Sequence, residues 1–262
     1  MKKVLKSPEP EELKIYKDNY ITQFRKWEQA RKARVKIGSG KKAKKVEIKD
    51  VIPSTLIADQ KGICAYCEMT IHENFFSVEH FIPCHLSTQQ KNYDLDWQNM
   101  LGNCSPPGGL LKEDLQKLEI PHKFPCCGKA KDKFVPDGQL LNPLELPTSR
   151  LFRFRSRDGE IMPDENACEQ AGIAVASVQF TIDILNLNVD RLKRHRKTVI
   201  DEINQEIYER QGEIDNQVLL EKQIASERLS NDKEKWSKFF TTIRWVLGEG
   251  AEKHLLDISY SG

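Results

Sequence analysis

The sequence predicts an α+β fold, with a small, mixed, cysteine-bearing module embedded in a mainly α-helical chain. Three observations carry this reading. All but one of the seven cysteines fall between Cys64 and Cys127. Short strand-like runs, around Ala65–Ile71 and Phe75–Ile82, lie among them. From about residue 165 onward, apolar residues recur at helical spacing.

Composition bounds the answer. At 262 residues the chain has one or two domains and enough length for a sizeable core. Charged residues make up 31%, above the roughly 25% of an average globular chain, yet 39% hydrophobic content excludes wholesale disorder. Lys plus Arg is 41 against 39 acids, a formal charge of +2. That balance does not exclude nucleic acid, because the distribution of charge matters more than its sum. No run of about 18 apolar residues predicts a membrane helix. Met1–Pro8 lacks the apolar stretch of a signal peptide, so a cytoplasmic location is expected. Seven cysteines, an odd number, without an export signal favour metal or free thiols over a disulfide framework.

Taken in order, residues 11–36 read as one helix after Pro8 and Pro10, with Leu13, Tyr16, Tyr20, Ile21, Phe24 and Trp27 at helical spacing. Residues 38–42 read as a loop. The block Arg31–Lys45, with no acid in it, suits either a solvated linker or an arm that tracks phosphates. Asp50 is the expected N-cap of a short helix with Pro53 in its first turn. A short helix is expected near Trp97–Cys104, and an irregular Pro- and Gly-rich stretch over 105–148. A strand and turn follow over 149–163, with Phe152 and Phe154 on one face before Asp158-Gly159. Ala167–Leu185 carries an apolar helical stripe, Asn188 is placed to cap the next helix to about Arg210, and two more are expected around 216–229 and 232–247. The domain reading is 1–50, an N-terminal helix and basic linker; 51–148, the cysteine-bearing module; and 149–262, a helical domain.

Cys64-Ala65-Tyr66-Cys67 has the spacing at which a tight turn aims two thiolates at one tetrahedral ion. With Cys104 and Cys127 it predicts a four-thiolate Zn²⁺ site, Cys126 being the substitute for Cys127. Four sulfurs leave no open position, so such a zinc is structural. Cys84 and Cys168 are expected to be free thiols packed as small hydrophobes.

Between these cysteines stand Val78-Glu79-His80-Phe81-Ile82-Pro83 and Asp96-Trp97-Gln98-Asn99. Acid-His followed by Asn within a cysteine frame is the order of an HNH nuclease, a ββα-metal finger. Hydrolysis of a phosphodiester needs a base to deprotonate water and a cation to neutralise the phosphate. His80 is the expected base, since an imidazole titrates near neutrality. Glu79 is the expected ligand for catalytic Mg²⁺ or Mn²⁺. Adjacent strand residues face opposite ways, so both reach one site only at a strand end or bulge. Asn99 is expected to hydrogen-bond across to the loop and orient the strand bearing His80. His72 and His85 read first as surface residues and second as substrate contacts, and His122 as loop surface.

At these positions the sequence resembles the HNH nuclease subunit of Septu (PtuB-like) antiphage systems, also found beside certain retrons. Cys64-Ala65-Tyr66-Cys67-Glu68, the segment around His80, Leu95–Asn99 and Cys127-Gly128-Lys129-Ala130-Lys131 carry the resemblance. Leu141-Asn142-Pro143 and Ile184–Asn188 with Leu192 and Arg196 extend it. The resemblance implies a cytoplasmic, toxic antiphage nuclease cutting DNA or RNA such as tRNA. It further implies an ABC/SMC-like ATPase partner and, in retron settings, a reverse transcriptase with its RNA–DNA product. The chain departs from the general pattern at Gly128, where a His or Asn ligand is expected. Asp132 is one substitute; Glu79 with phosphate and water is another. Lys131 fits the pattern, as a phosphate contact or as an exposed loop lysine.

In the helical half, Arg191, Lys193, Arg194, His195, Arg196 and Lys197 form either a solvated face or a phosphate contact. The acidic helix face over 201–213 suits a basic partner surface. Trp236, Phe239, Phe240, Ile243 and Val246 read first as core and second as a docking face for the ATPase that the resemblance implies. The alternative to an enzyme is a zinc-stabilised nucleic-acid-binding or adaptor subunit with a decayed active site. A redox CxxC is disfavoured because Cys67 lacks a βαβ context.

Overall fold

A computed structural model describes residues 1–40, 43–72, 75–104, 125–212, 214–230 and 235–262. Lys41, Lys42, His122, the first part of the expected irregular stretch (105–124) and the start of the expected helix at 232 lie outside the described residues.

The architecture is α+β, with strands occurring as three separate antiparallel hairpins and no central sheet among the described residues. Helix α1 spans Glu11–Asn19, and Glu11 and Glu12 complement the positive end of its dipole. The helix expected over 11–36 stops there. Ile21, counted in its stripe, is 82% exposed, and the chain turns until the single-turn α2, Trp27–Ala30. A tertiary bond sets that restart: the Trp27 amide donates to Asp94 Oδ1 at 3.1 Å.

The described ends of the basic block form paired strands. Strand β1, Arg34–Ile37, pairs with β2, Lys44–Glu47, so Arg34 lies opposite Glu47 and Lys36 opposite Lys45. Helix α3, Ile48–Asp59, buries Ile48, Ile52 and Leu56 at four-residue spacing; its N-cap is Glu47, not Asp50, and Pro53 lies inside it.

Strand β3, Ser77–His80, pairs with β4, Met100–Asn103. A helix was expected at the second of these, and only a 3-10 turn, Trp97–Asn99, precedes the strand. All four β4 residues are buried, which erases the in-out alternation that marks a strand. Their burial reflects two cores meeting there. Met100 packs with Leu13, Tyr16, Ile52 and Trp97, whereas Leu101 joins the larger core that contains the cysteine cluster and the C-terminal helices. The N-terminal segment braces this boundary, with Trp97 Nε1 donating to Ser7 O at 2.9 Å. Lys6 lies over the Trp97 ring and donates to Met100 O at 2.8 Å.

Helix α4, Gly128–Lys131, completes the module. Strands β5, Phe152–Arg155, and β6, Glu160–Pro163, form the expected hairpin with Phe152 and Phe154 buried. Gly172, in the left-handed region with φ +66, splits the expected long helix into α5, Glu165–Ala171, and α6, Val175–Ile184. Helix α7 spans Asp190–Arg210. Asn188 does not cap it; its side chain instead bonds the Ile161 backbone at 2.9 and 3.0 Å. Helix α8, Gln217–Arg228, is capped by Asn216. Helices α9, Phe240–Val246, and α10, Gly248–Asp257, close the chain.

A cysteine cluster and a histidine-bearing hairpin

The Cys64–Cys67 turn closes when the Cys64 amide donates to Met69 O at 2.8 Å and the Glu68 amide to Cys64 O at 3.1 Å. Strand β4 delivers Cys104 from its end, and Cys127 opens α4. The ligand atoms of Cys64, Cys67, Cys104 and Cys127 all lie within 4.8 Å of one another, and all four residues are buried. The Cys64–Cys127 and Cys67–Cys104 sulfurs are 3.9 and 3.7 Å apart. Sulfurs about 2.3 Å from a tetrahedral zinc are about 3.8 Å from one another, so the cluster fits a closed Zn²⁺ site. Cys126 lies beside it, 3.5 Å from Cys127, and its sulfur accepts from Arg191 at 2.6 Å. Cys84 stands apart, its thiol pushed up to about 12, chiefly by burial. Cys168 is buried against Leu151 O.

Glu68 ties this knuckle to the helical half. It is buried, and its carboxylate accepts from the Thr241 amide at 2.8 Å and the Thr241 hydroxyl at 2.5 Å, at the start of α9. Arg196 likewise belongs to the interior. It donates to Gly159 O and Leu187 O at 2.7 and 2.8 Å, and burial pushes its pKa down to about 10. It is therefore neither part of a solvated face nor a phosphate contact.

The β3–β4 register separates Glu79 from His80. Glu79 lies opposite Leu101 and His80 opposite Met100, and directly opposed residues share a face. Glu79 thus points toward the cysteine side and His80 toward the N-terminal core. The Glu79 carboxylate sits 3.0 Å from Lys131 Nζ, with the side chains 13% and 1% exposed. Lys131 also donates to His80 O and Phe81 O, each at 3.0 Å. The expectation of a phosphate contact or an exposed loop lysine fails here, because Lys131 is an internal brace. Burial raises the Glu79 pKa, opposed by the Lys131 charge.

Gly128 explains why Glu79 fits. A Cβ there would lie 2.1 Å from Glu79 Oε2 and 2.8 Å from Asn103 Nδ2. The carboxylate occupies the space that a side chain at position 128 would fill. Among the described residues the four cysteines are the group of three or more possible ligands close enough to share one ion; neither Glu79 nor Asp132 joins such a group. A Mg²⁺ or Mn²⁺ at Glu79 would compete with the Lys131 ammonium, so these side chains do not by themselves form a cage for that cation.

His80 is half-buried and its pKa is lowered, mainly by burial. Its Nε2 lies 3.0 Å from Asp94 O. A carbonyl only accepts, so Nε2 carries the proton, and a neutral ring then leaves the Nδ1 lone pair free. Asp94 is the residue that sequence reasoning missed. Besides its carbonyl, its carboxylate accepts from Trp27 N and from Ser87 Oγ at 3.1 and 2.9 Å, and the Trp27 ring stands edge-on to His80 at 6.4 Å. Asn99 is buried. It accepts from Ile82 N at 2.7 Å and donates to Ile82 O and Tyr93 O, both at 2.9 Å. It joins the loop leaving β3 to the loop that carries Asp94. His72 and His85 are exposed.

No family model matches the chain. The chain is similar to an Escherichia coli protein named as the candidate HNH endonuclease of retron Ec83, at 31% identity over 167 residues. The matched region covers 56% of this chain and spans 63% of that relative. No described helix is long and apolar enough to cross a membrane.

Proposed function

We propose that this chain is an HNH-type endonuclease that hydrolyses nucleic-acid phosphodiesters, with His80 as general base and a four-cysteine zinc as structural clamp. The observation that carries this reading is the His80 geometry. A neutral imidazole, its Nε2–H held by Asp94 O, presents Nδ1 to take a proton from water as the water attacks phosphorus. Lys131 holds the His80 carbonyl, and Asn99 holds the Ile82 backbone two residues on, by hydrogen bonds. They act as positioning residues, while Glu79 anchors Lys131. The similarity to a retron HNH endonuclease supports the same reading. Lys36 facing Lys45 on the β1–β2 hairpin is a like-charge pair that substrate phosphates would relieve.

The finer reading rests on the Septu resemblance: a cytoplasmic antiphage effector, gated by an ABC/SMC-like ATPase and, in a retron, by a reverse transcriptase with its RNA–DNA product. A second reading, a zinc-stabilised binding or adaptor subunit, is favoured by Gly128 and by the neutralised Glu79. Cleavage of end-labelled DNA and RNA by the purified chain with its partners separates the two. The enzyme reading expects His80→Ala to lose about 10²–10⁴-fold in rate with zinc content and partner binding intact. Equal cleavage by both proteins would overturn the role of His80. Binding without cleavage by the wild type would establish the adaptor reading.

A further inference from the structure

Beside the histidine hairpin lies a cleft of about 390 Å³ between the turn after α1 and residues 89–92. We propose that it receives an unpaired nucleobase next to the phosphate being cut, so that the substrate is single-stranded or locally unpaired at the cleavage site. This rests on the nuclease reading and names the substrate class of that site.

The cleft is lined by Tyr20, Phe24, Arg25, Gln89, Gln90 and Lys91, among others. Its apolar side is partly packed, with Tyr20 against the N-terminal core, and partly open to solvent. Phe24 is 38% and Ile21 82% exposed. Tyr20 rests on Tyr16 with ring centroids 5.0 Å apart, and the Arg25 guanidinium lies 4.2 Å over the Tyr20 ring. Arg25 Nε is buried without a hydrogen-bond partner among the described residues. Stacked aromatic and guanidinium planes are the surfaces on which splayed bases settle. The amides of Gln89 and Gln90 each carry a donor and an acceptor for a base edge, while Arg25 and Lys91 supply charge for flanking phosphates. The lining acid Asp96 is engaged elsewhere, accepting from Gln98 N at 2.9 Å.

The cleft shares both walls with His80. Arg25 O accepts from Asn92 Nδ2 at 2.7 Å. Two residues beyond Arg25 on one wall, Trp27 edges the imidazole. Two residues beyond Asn92 on the other, Asp94 O holds its Nε2. The proposal puts the base in the cleft on a nucleotide neighbouring the one whose phosphate His80 serves, because the same two segments form the cleft and hold the imidazole. Bases inside a duplex keep their faces stacked on their neighbours, so only an unpaired base offers one to Tyr20 or Phe24.

The test reads binding without cleavage, in the His80→Ala background. A single-stranded oligonucleotide carrying the fluorescent base 2-aminopurine is titrated with the protein, and the same strand is titrated as a complete duplex. The proposal expects quenching on binding the single strand, tighter binding of that strand than of the duplex, and about a tenfold weaker Kd with lost quenching in Phe24→Ala and Arg25→Gln. Both side chains lie at the cleft surface, and unchanged zinc content and circular dichroism confirm folding. Equal affinity for strand and duplex, or quenching and Kd unchanged in both variants, would overturn it. A wild type that binds in this way but does not cut would refute the nuclease reading and leave the base site standing.

Discussion

Replacing Lys131 with Met is expected to destabilise the protein by about 3–5 kcal/mol, the range for breaking one partner out of a buried ion pair. The size follows from what the ammonium holds. Its side chain is 1% exposed and lies 3.0 Å from Glu79 Oε1, and it also serves two backbone carbonyls, of His80 and Phe81. Met fills much of the volume but leaves the Glu79 carboxylate buried without its counter-charge. Neutralising the survivor should recover part of the loss, so Glu79→Gln with Lys131→Met is expected to cost about 1–3 kcal/mol less than the sum of the single changes. Urea unfolding of zinc-saturated protein, with the slope of the transition unchanged, measures all three. A Lys131→Met protein within about 1 kcal/mol of wild type, or strict additivity, would refute the brace. Weakened nucleic-acid binding at undiminished stability would instead restore the phosphate contact.

Further outcomes follow from the same geometry. Gly128→Ala should destabilise the fold and lower activity together, because its Cβ meets the Glu79 carboxylate at 2.1 Å; full stability by urea titration would contradict that packing. If His80 is the base, the cleavage rate should be flat at neutral pH and fall as pH drops through a midpoint below about 6.5, since burial lowers the pKa of His80 and protonation removes the Nδ1 lone pair. A midpoint above that value in a pH–rate profile would contradict the assignment. Elemental analysis should find one zinc per chain in wild type, Cys84→Ser and Cys126→Ser, and its loss in Cys104→Ser or Cys127→Ser; zinc retained in Cys127→Ser but lost in Cys126→Ser would exchange the two ligands.

The cysteine cluster was legible because its spacing reports a local turn, Cys64 to Cys67, and metal chemistry restricts which side chains complete it. The proximity of Cys104 and Cys127 to that turn agrees with the four-thiolate reading. The α+β class was legible from the helical period after residue 165 and the shortness of the strand-like runs. Strand β4 was hidden because Met100 and Leu101 face two different cores, so both are buried and no alternation remains. The helix over 11–36 was overextended because Ile21 and Phe24 keep the spacing of a core face while lying on the surface. Asp94 left no signal, and Glu68 stood in the cysteine motif with no role attached. Each is one acid in a short loop, and each acts through contacts across the fold, to Trp27 and to Thr241. Arg196 was concealed by its charged neighbours, since a sequence does not say which member of a basic run turns inward.

The central claim is that a His80-activated water, and no group of the substrate itself, attacks the phosphodiester. Cleavage in ¹⁸O-labelled water followed by mass spectrometry of the product ends tests it directly. The account predicts one labelled oxygen in each newly formed terminal phosphate, and loss of that product in His80→Ala. Unlabelled cyclic phosphate ends, or labelled ends formed as fast by His80→Ala, would contradict it.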